Sequence, residues 1–232
     1  DKAESEPEIA KMVNVIATQE IAKAASELEI PLVHISTDYV FSGDKDTPYV
    51  ETDEVAPCSI YGKTKLAGEE IIPKSHNNYA IFRTAWVFSP FGNNFVKTML
   101  RLGETRDELN VVADQFGCPT SALEIARAIK IIVLRLIEDN SQDLRGIFHL
   151  TAGGETNWAG FAKEIFTQNK EMSGKEVIVN SISTEQYPTP AKRPKNSRLN
   201  CDKLATYYGI KLPNWEISLK ECLLMLNNSS GI

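Results

Sequence analysis

The sequence predicts an α/β fold on a parallel sheet, from three observations. Short strand-like runs alternate with stretches of helical periodicity. One of those runs, Leu32-Val33-His34-Ile35-Ser36, is nearly continuous in apolar character, as a strand covered on both faces must be. No internal repeat or low-complexity linker interrupts the alternation, so any second domain has to be interwoven with the first.

The elements follow in order. Ser5-Glu6-Pro7-Glu8 reads as a capping box with proline in the first turn. The helix after it is expected to bury Ala10, Val13, Ala17, Ile21, Ala24 and Leu28 on one face. Pro31 restarts the chain into the apolar strand. The Gly-, Pro- and Asp-rich stretch from Thr37 to Ser59 is too long for a plain connection, and loops of that length usually carry function or are disordered. A helix over about 60–72, a strand over 79–84, a helix over about 94–106 and a short strand over 109–112 follow. Ser121-Ala122-Leu123-Glu124 is a second capping box, opening a helix that reaches about Glu138. Residues 146–150 read as strand, 158–168 as helix and 177–182 as strand. The tail holds a proline-rich basic loop, Pro188 to Arg198, and then two short helices.

Composition narrows the function. The chain has 232 residues, 42% hydrophobic and 24% charged, as in an ordinary globular protein. A net charge of −6 argues against general attraction to nucleic acid or to anionic membrane. The most apolar run, Ile125 to Ile137, is broken by Arg127, Lys130 and Arg135 at helical spacing, so it does not read as a membrane span. Cys58, Cys118, Cys201 and Cys222 lack metal-ligand spacing, which suits a reducing, cytoplasmic setting, and Cys58 and Cys118 read as structural. His34 and His149 read as satisfied core histidines and His76 as a residue of a polar loop, so no metal site is expected. Glu51, Asp53 and Glu54 read as a solvated acidic loop.

The sharpest chemical signal is Tyr61-Gly62-Lys63-Thr64-Lys65. Four residues apart on a helix, Tyr61 and Lys65 share a face, and an ammonium beside a phenol favours phenolate. Such a pair is weak evidence by itself, because it arises by chance on many solvated helices. Ser36-Thr37-Asp38, just after the apolar strand, adds a hydroxyl where open parallel sheets place their ligands, although Thr37 is equally suited to capping a turn. A hydroxyl at a strand end, a long loop and a Tyr/Lys helix match the Ser/Thr–Tyr–Lys arrangement of short-chain dehydrogenases.

The run Ser36-Thr37-Asp38-Tyr39-Val40-Phe41-Ser42-Gly43, followed by Pro48-Tyr49 and Tyr61-Gly62-Lys63-Thr64-Lys65, closely resembles the dTDP-4-dehydrorhamnose reductases. These belong to the extended short-chain dehydrogenase/reductase family. The resemblance continues through 83–88 (Arg-Thr-Ala-Trp-Val-Phe), 94–100 (Asn-Phe-Val-Lys-Thr-Met-Leu), 114–120 (Asp-Gln-Phe-Gly-Cys-Pro-Thr) and 193–197 (Arg-Pro-Lys-Asn-Ser), so it covers nearly the whole chain. It implies a Rossmann-like doubly wound parallel sheet with a smaller interwoven α/β substrate domain. The first would comprise residues 1–92 and 121–153, the second 93–120 and 154–232.

The implied reaction is reduction of the C4 keto group of dTDP-4-dehydro-6-deoxy-L-mannose to dTDP-L-rhamnose with NADPH or NADH. Tyr61 would donate the proton, Lys65 would hold the nicotinamide ribose and depress the Tyr61 pKa, and Thr37 would bind substrate beside Asp38 and tune the transfer. Trp86, Asn94 and Arg193 would complete the sugar-nucleotide site, and a homodimer is the assembly considered. The basic residues Lys192, Arg193, Lys195 and Arg198 read equally as a solvated loop or as a diphosphate contact. Two rivals share the motifs: a sugar-nucleotide epimerase or dehydratase of the same fold, and a non-catalytic reductase-like regulatory subunit. The chain begins at Asp1 and carries no G-x-x-G-x-x-G turn after a strand. The front strands and the Gly-rich phosphate loop of the nucleotide domain are therefore expected to be missing.

Overall fold

A computed structural model describes residues 2–173 and 175–229. Helices α1 (Lys2–Ser5), α2 (Pro7–Lys11) and α3 (Ala17–Glu27) form one helical run, widened by a π-helical turn over Met12–Ile16. Strand β1 (Leu32–Thr37) precedes α4 (Ile60–Ser75) and β2 (Tyr79–Thr84), and the short β3 (Val87–Phe88) precedes α5 (Phe95–Thr105). Then come β4 (Glu108–Val112), β5 (Phe116–Gly117), β6 (Thr120–Ser121), α6 (Ala122–Glu138) and β7 (Gly146–His149). The chain continues through β8 (Thr156–Asn157), α7 (Trp158–Ser173), β9 (Ile178–Ile182), α8 (Asp202–Tyr208) and α9 (Trp215–Ser229).

The central sheet has the order β1-β2-β7 and is parallel throughout. Alternation along β2 assigns its two faces. Ala80 and Phe82 join Ile125, Ala128, Ile132 and Leu136 of α6 and Leu204 and Tyr208 of α8 in one cluster. Ile81 points the other way, to Ala22 of α3 and Ile72 of α4. A separate cluster packs β4, α5, α7 and α9 together through Val96, Leu109, Phe161, Ile165 and Leu219. Strands β4 and β9 pair in parallel beside it.

The first helical run departs from the sequence expectation. The chain is already helical at Lys2, and the Ser5 hydroxyl donates back to the Lys2 carbonyl instead of capping a new helix. The expected core face is outermost: Val13, Ile21 and Leu28 are 62%, 57% and 67% exposed, while Thr18, Ala22 and Ala25 are buried. Close approach explains the reversal. A Cβ on Gly68 of α4 would lie 2.3 Å from the Asn14 carbonyl oxygen, so at this crossing no side chain fits between the helices.

Smaller corrections follow the same logic. Ser121 caps α6 by accepting from Leu123 N, but Glu124 pairs with Arg127 and does not close the box. His76 is buried at the end of α4, its Nε2 lying 2.9 Å from the Ile30 carbonyl oxygen. The acidic loop is tied down as well. Glu51 accepts from His149 N, and Asp53 pairs with Lys45 and accepts from Val50 N. The second tail helix, α9, is 15 residues long, not short. No helix among the described residues is long and apolar enough to cross a membrane.

Candidate active site

The register of the central sheet builds the site. Thr37 at the end of β1 lies opposite Thr84 at the end of β2, so Asp38, Ala85 and Trp86 leave the sheet at the same edge. Thr37 caps the 3-10 turn over Asp38–Val40 by accepting from Tyr39 N, and its hydroxyl donates to Asp38 Oδ1 at 3.0 Å. Thr37 is therefore a turn cap that also lines the cleft.

Tyr61 arrives from the first turn of α4. Ser59 caps that helix by accepting from Gly62 N, and Glu4 accepts from Ile60 N. Gly62 is required here, because a Cβ would sit 2.2 Å from the Tyr39 carbonyl oxygen. This close approach sets the phenol in the same cleft as the Thr37 hydroxyl. The Tyr39 and Tyr61 rings meet edge to face with centroids 5.7 Å apart. One turn further on, Lys65 reaches under the site. Its ammonium donates to the Ile35 carbonyl at 2.7 Å and lies 3.2 Å from His34 Nε2.

The electrostatics differ from the expected depression of the Tyr61 pKa. Burial and the Asp38 carboxylate push the phenol up, opposed only by the Thr37 hydrogen bond. The phenol thus keeps its proton at neutral pH, as a donor must. Burial raises Asp38 to about 6 against hydrogen bonds from Ser197 and Thr37. It lowers Lys65, with Glu69 opposing. Burial, then Lys65, lowers His34 to about 4, and burial, then Arg83, lowers His149 to about 3.

These shifts make stability depend on pH. Below their ordinary 6.5, His34 and His149 take up protons in the unfolded chain that the folded chain refuses, so stability is lost as pH falls. Asp38 acts oppositely, holding a proton in the fold between its ordinary 3.8 and about 6. With two histidines against one carboxyl, the urea midpoint is expected to drop between pH 6.5 and 4. Asp38→Asn should steepen that drop and His149→Gln should flatten it. A midpoint rising towards pH 4 in the unmodified protein would contradict this balance.

Support lies directly beneath. Arg83 of β2 and Glu69 of α4 form a buried ion pair at 2.6 Å, and the Ser36 hydroxyl donates to the same carboxylate. The guanidinium also lies 5.0 Å from the centre of the Phe41 ring. From the other side, segment 193–200 laces down the long loop. Asn196 donates from its side chain to the Lys45 and Thr47 carbonyls and from its backbone to the Gly43 carbonyl. Arg198 is held by Glu155, Asn196 and the Asp46 carbonyl, which gives it a structural use.

Thr37, Asp38, Tyr61, Lys65, Trp86 and Arg193 all line one cleft of about 430 Å³. Arg193 also lines an adjoining hollow of about 640 Å³ that includes Asn110 and Gln115. Asn94 is not brought to either. It caps α5, donating to the Ser89 carbonyl and accepting from Lys97 N, and lines a different hollow of about 690 Å³ on the flank of α5. Trp86 takes a left-handed backbone, φ 49°, which a bulky residue adopts only when its surroundings enforce it. Its indole packs on Gly117 and stacks on Trp158. Trp158 and Thr84 line the cleft too, and sequence reasoning missed both. Trp158 reads only as a helix start and Thr84 only as a motif letter.

The cleft also has free polar valences. Asp38 Oδ2 and Thr84 Oγ1 are buried with no hydrogen-bond partner among the described residues, and both residues line it. Such atoms suit a polyhydroxylated or amide-bearing ligand. The carboxyl and two hydroxyls beside an ammonium fit the nicotinamide-ribose end of a dinucleotide together with a sugar. No cluster of three or more metal-ligating side chains occurs among the described residues.

Comparison with known proteins places this geometry. The RmlD substrate binding domain family matches residues 1–228. A dTDP-4-dehydrorhamnose reductase of Sinorhizobium fredii is 53% identical over 226 residues, covering 97% of this chain and 76% of that protein. The crystal structure of one from Clostridium acetobutylicum superposes with a TM-score of 0.90 at 42% identity, covering 98% of this chain and 77% of that one. Another, from Bacillus anthracis in complex with NADP, gives 0.89 at 38% identity, with 97% and 76% covered. These matches confirm the α/β, Rossmann-like character of the parallel sheet. With site, sheet and sequence in agreement, the chain belongs to the dTDP-4-dehydrorhamnose reductase family.

Proposed function

We propose that this protein reduces the C4 keto group of dTDP-4-dehydro-6-deoxy-L-mannose to dTDP-L-rhamnose, with NADPH or NADH as reductant. The observation that carries the reading is the convergence of Thr37, Tyr61 and Lys65 at the end of β1, within one cleft. The nicotinamide supplies the hydride when bound. Tyr61 delivers the proton to the nascent C4 alkoxide through its phenolic O–H. Thr37, beside the phenol at the end of β1, contacts the substrate next to the reacting carbon. Lys65 offers its ammonium to the nicotinamide ribose from the floor of the cleft, held there by the Ile35 carbonyl and His34. Asp38, through its unpartnered oxygen, accepts a hydrogen bond from a sugar hydroxyl.

The substrate would run from the cleft of Tyr61 into the adjoining hollow, with Arg193 and Trp158 at the junction because both line the two. Arginine's fork there suits a diphosphate. The cluster on β2 and the cluster around α7 support dividing the chain into 1–92 with 121–153 and 93–120 with 154–232, although residues 204–210 pack on the sheet and Phe88 and Ala152 pack with α7. Asn94 would act indirectly, by setting the start of α5. A cytoplasmic location and a homodimer belong to the same reading. Relatives named as reductases at 53% and 42% identity favour it over an epimerase, a dehydratase or a non-catalytic subunit.

The test is turnover of the keto-sugar nucleotide, followed by loss of reduced nicotinamide absorbance and by formation of dTDP-L-rhamnose. Absence of that product would overturn the reading. A binding contrast adds to it. In the enzyme with its nucleotide domain complete, Trp86→Ala is expected to weaken dTDP-L-rhamnose binding in calorimetry by about tenfold or more while changing NADPH binding little. Equal losses for both ligands would assign Trp86 to packing.

A further inference from the structure

The junction between the two hollows is formed largely by Trp158, whose placement is more controlled than packing requires. Strand β8 pairs antiparallel with β5, opposing Asn157 to Phe116 and Thr156 to Gly117, which delivers Trp158 beside Trp86. The two indoles stack with centroids 3.7 Å apart and planes at 11°, and Phe95 packs on Trp158 at 4.6 Å. Rotation of the indole is fixed by its N–H, which donates to Gln115 Oε1 at 3.2 Å. Gln115 is buried and donates in turn to Thr184 Oγ1 at 3.0 Å. Asp114 anchors that threonine by accepting from its backbone N–H and its hydroxyl. A half-buried indole with its polar edge tied down is a rigid apolar platform open to both hollows.

We propose that Trp158 is a specificity-determining residue of the sugar-nucleotide site. With Trp86 it forms a two-indole wall for the apolar edge of a 6-deoxy hexose, and Gln115 acts through it as a positioning residue. The inference rests on the proposed function, because it needs a deoxysugar nucleotide in this cleft. A methyl at C6 gains by contact with the wall, whereas a C6 hydroxyl would lose its water there without finding a donor or acceptor on carbon.

Calorimetric titration with dTDP-L-rhamnose and, separately, dTDP tests this in the unmodified protein, Trp158→Phe, Gln115→Ala and the double variant. Trp158→Phe is expected to weaken dTDP-L-rhamnose by about tenfold and dTDP by less than about threefold. Gln115→Ala should cause a smaller loss of the same kind that vanishes in the Trp158→Phe background, since its effect passes through the indole. Near-ultraviolet circular dichroism should show the coupled-indole signal lost in Trp158→Phe and reduced in Gln115→Ala. Equal losses for the two ligands, or additive losses in the double variant, would overturn the assignment. Unmodified protein that binds neither ligand would overturn the proposed function, and this inference with it.

Discussion

Tyr61→Phe is expected to lower turnover of the keto-sugar nucleotide by about 10²–10⁴-fold while leaving the fold intact. The substitution removes one oxygen from a ring that is 40% exposed to the cleft, so no buried partner is orphaned except the Thr37 hydroxyl, which keeps its bond to Asp38. What is lost is the proton source. Burial and Asp38 hold the phenol above its ordinary pKa, so the group is fully protonated when substrate arrives. Steady-state rates measure the loss, with circular dichroism as the folding control. A variant turning over at a near-normal rate would remove Tyr61 from the mechanism and leave Asp38, raised to about 6, as the nearest remaining acid.

The second large effect is on stability. Arg83→Met should destabilise the fold by roughly 3–5 kcal/mol in urea titration, because it leaves Glu69 charged and uncompensated in the interior. Arg83 and Glu69 are 2% and 3% exposed and make three side-chain hydrogen bonds with one another, so water cannot take over the missing partner's role. Replacing both, as Arg83→Met with Glu69→Leu, should cost much less than the sum of the single changes, since the apolar pair needs no solvation. Strict additivity in that cycle would mean the pair is not coupled. The same cycle probes the site, because Ser36 hangs from the Glu69 carboxylate immediately before Thr37.

Most of the architecture and the chemical core were legible in the sequence, for reasons that are local. Strand β2 was placed at its observed limits, and the continuous apolar run of β1 announced a strand covered on both sides. Tyr61 and Lys65 share a helix face whatever surrounds them. Thr37 lies at a strand end, where parallel sheets open. These follow from short-range geometry and from the need to bury apolar surface.

Only the tertiary structure decided the rest, because it depends on which surfaces meet. The apolar face of the first helical run is turned outward, because Thr18, Ala22 and Ala25 face inward and Gly68 of α4 lies against the Asn14 backbone. The motif around Asn94 implies a substrate contact, but its amide caps α5. The direction of the Tyr61 shift was also hidden. Lysine's spacing suggests depression, whereas Lys65 gives its donors to the Ile35 carbonyl and His34, and burial beside Asp38 prevails. Trp158 carries no sequence signal because its role comes from contacts with Trp86, Gln115 and Phe95, which are 72, 43 and 63 positions away in the chain. Periodicity reports what a segment can bury, while its partners, its charge environment and the ends of its hydrogen bonds are set when distant segments meet.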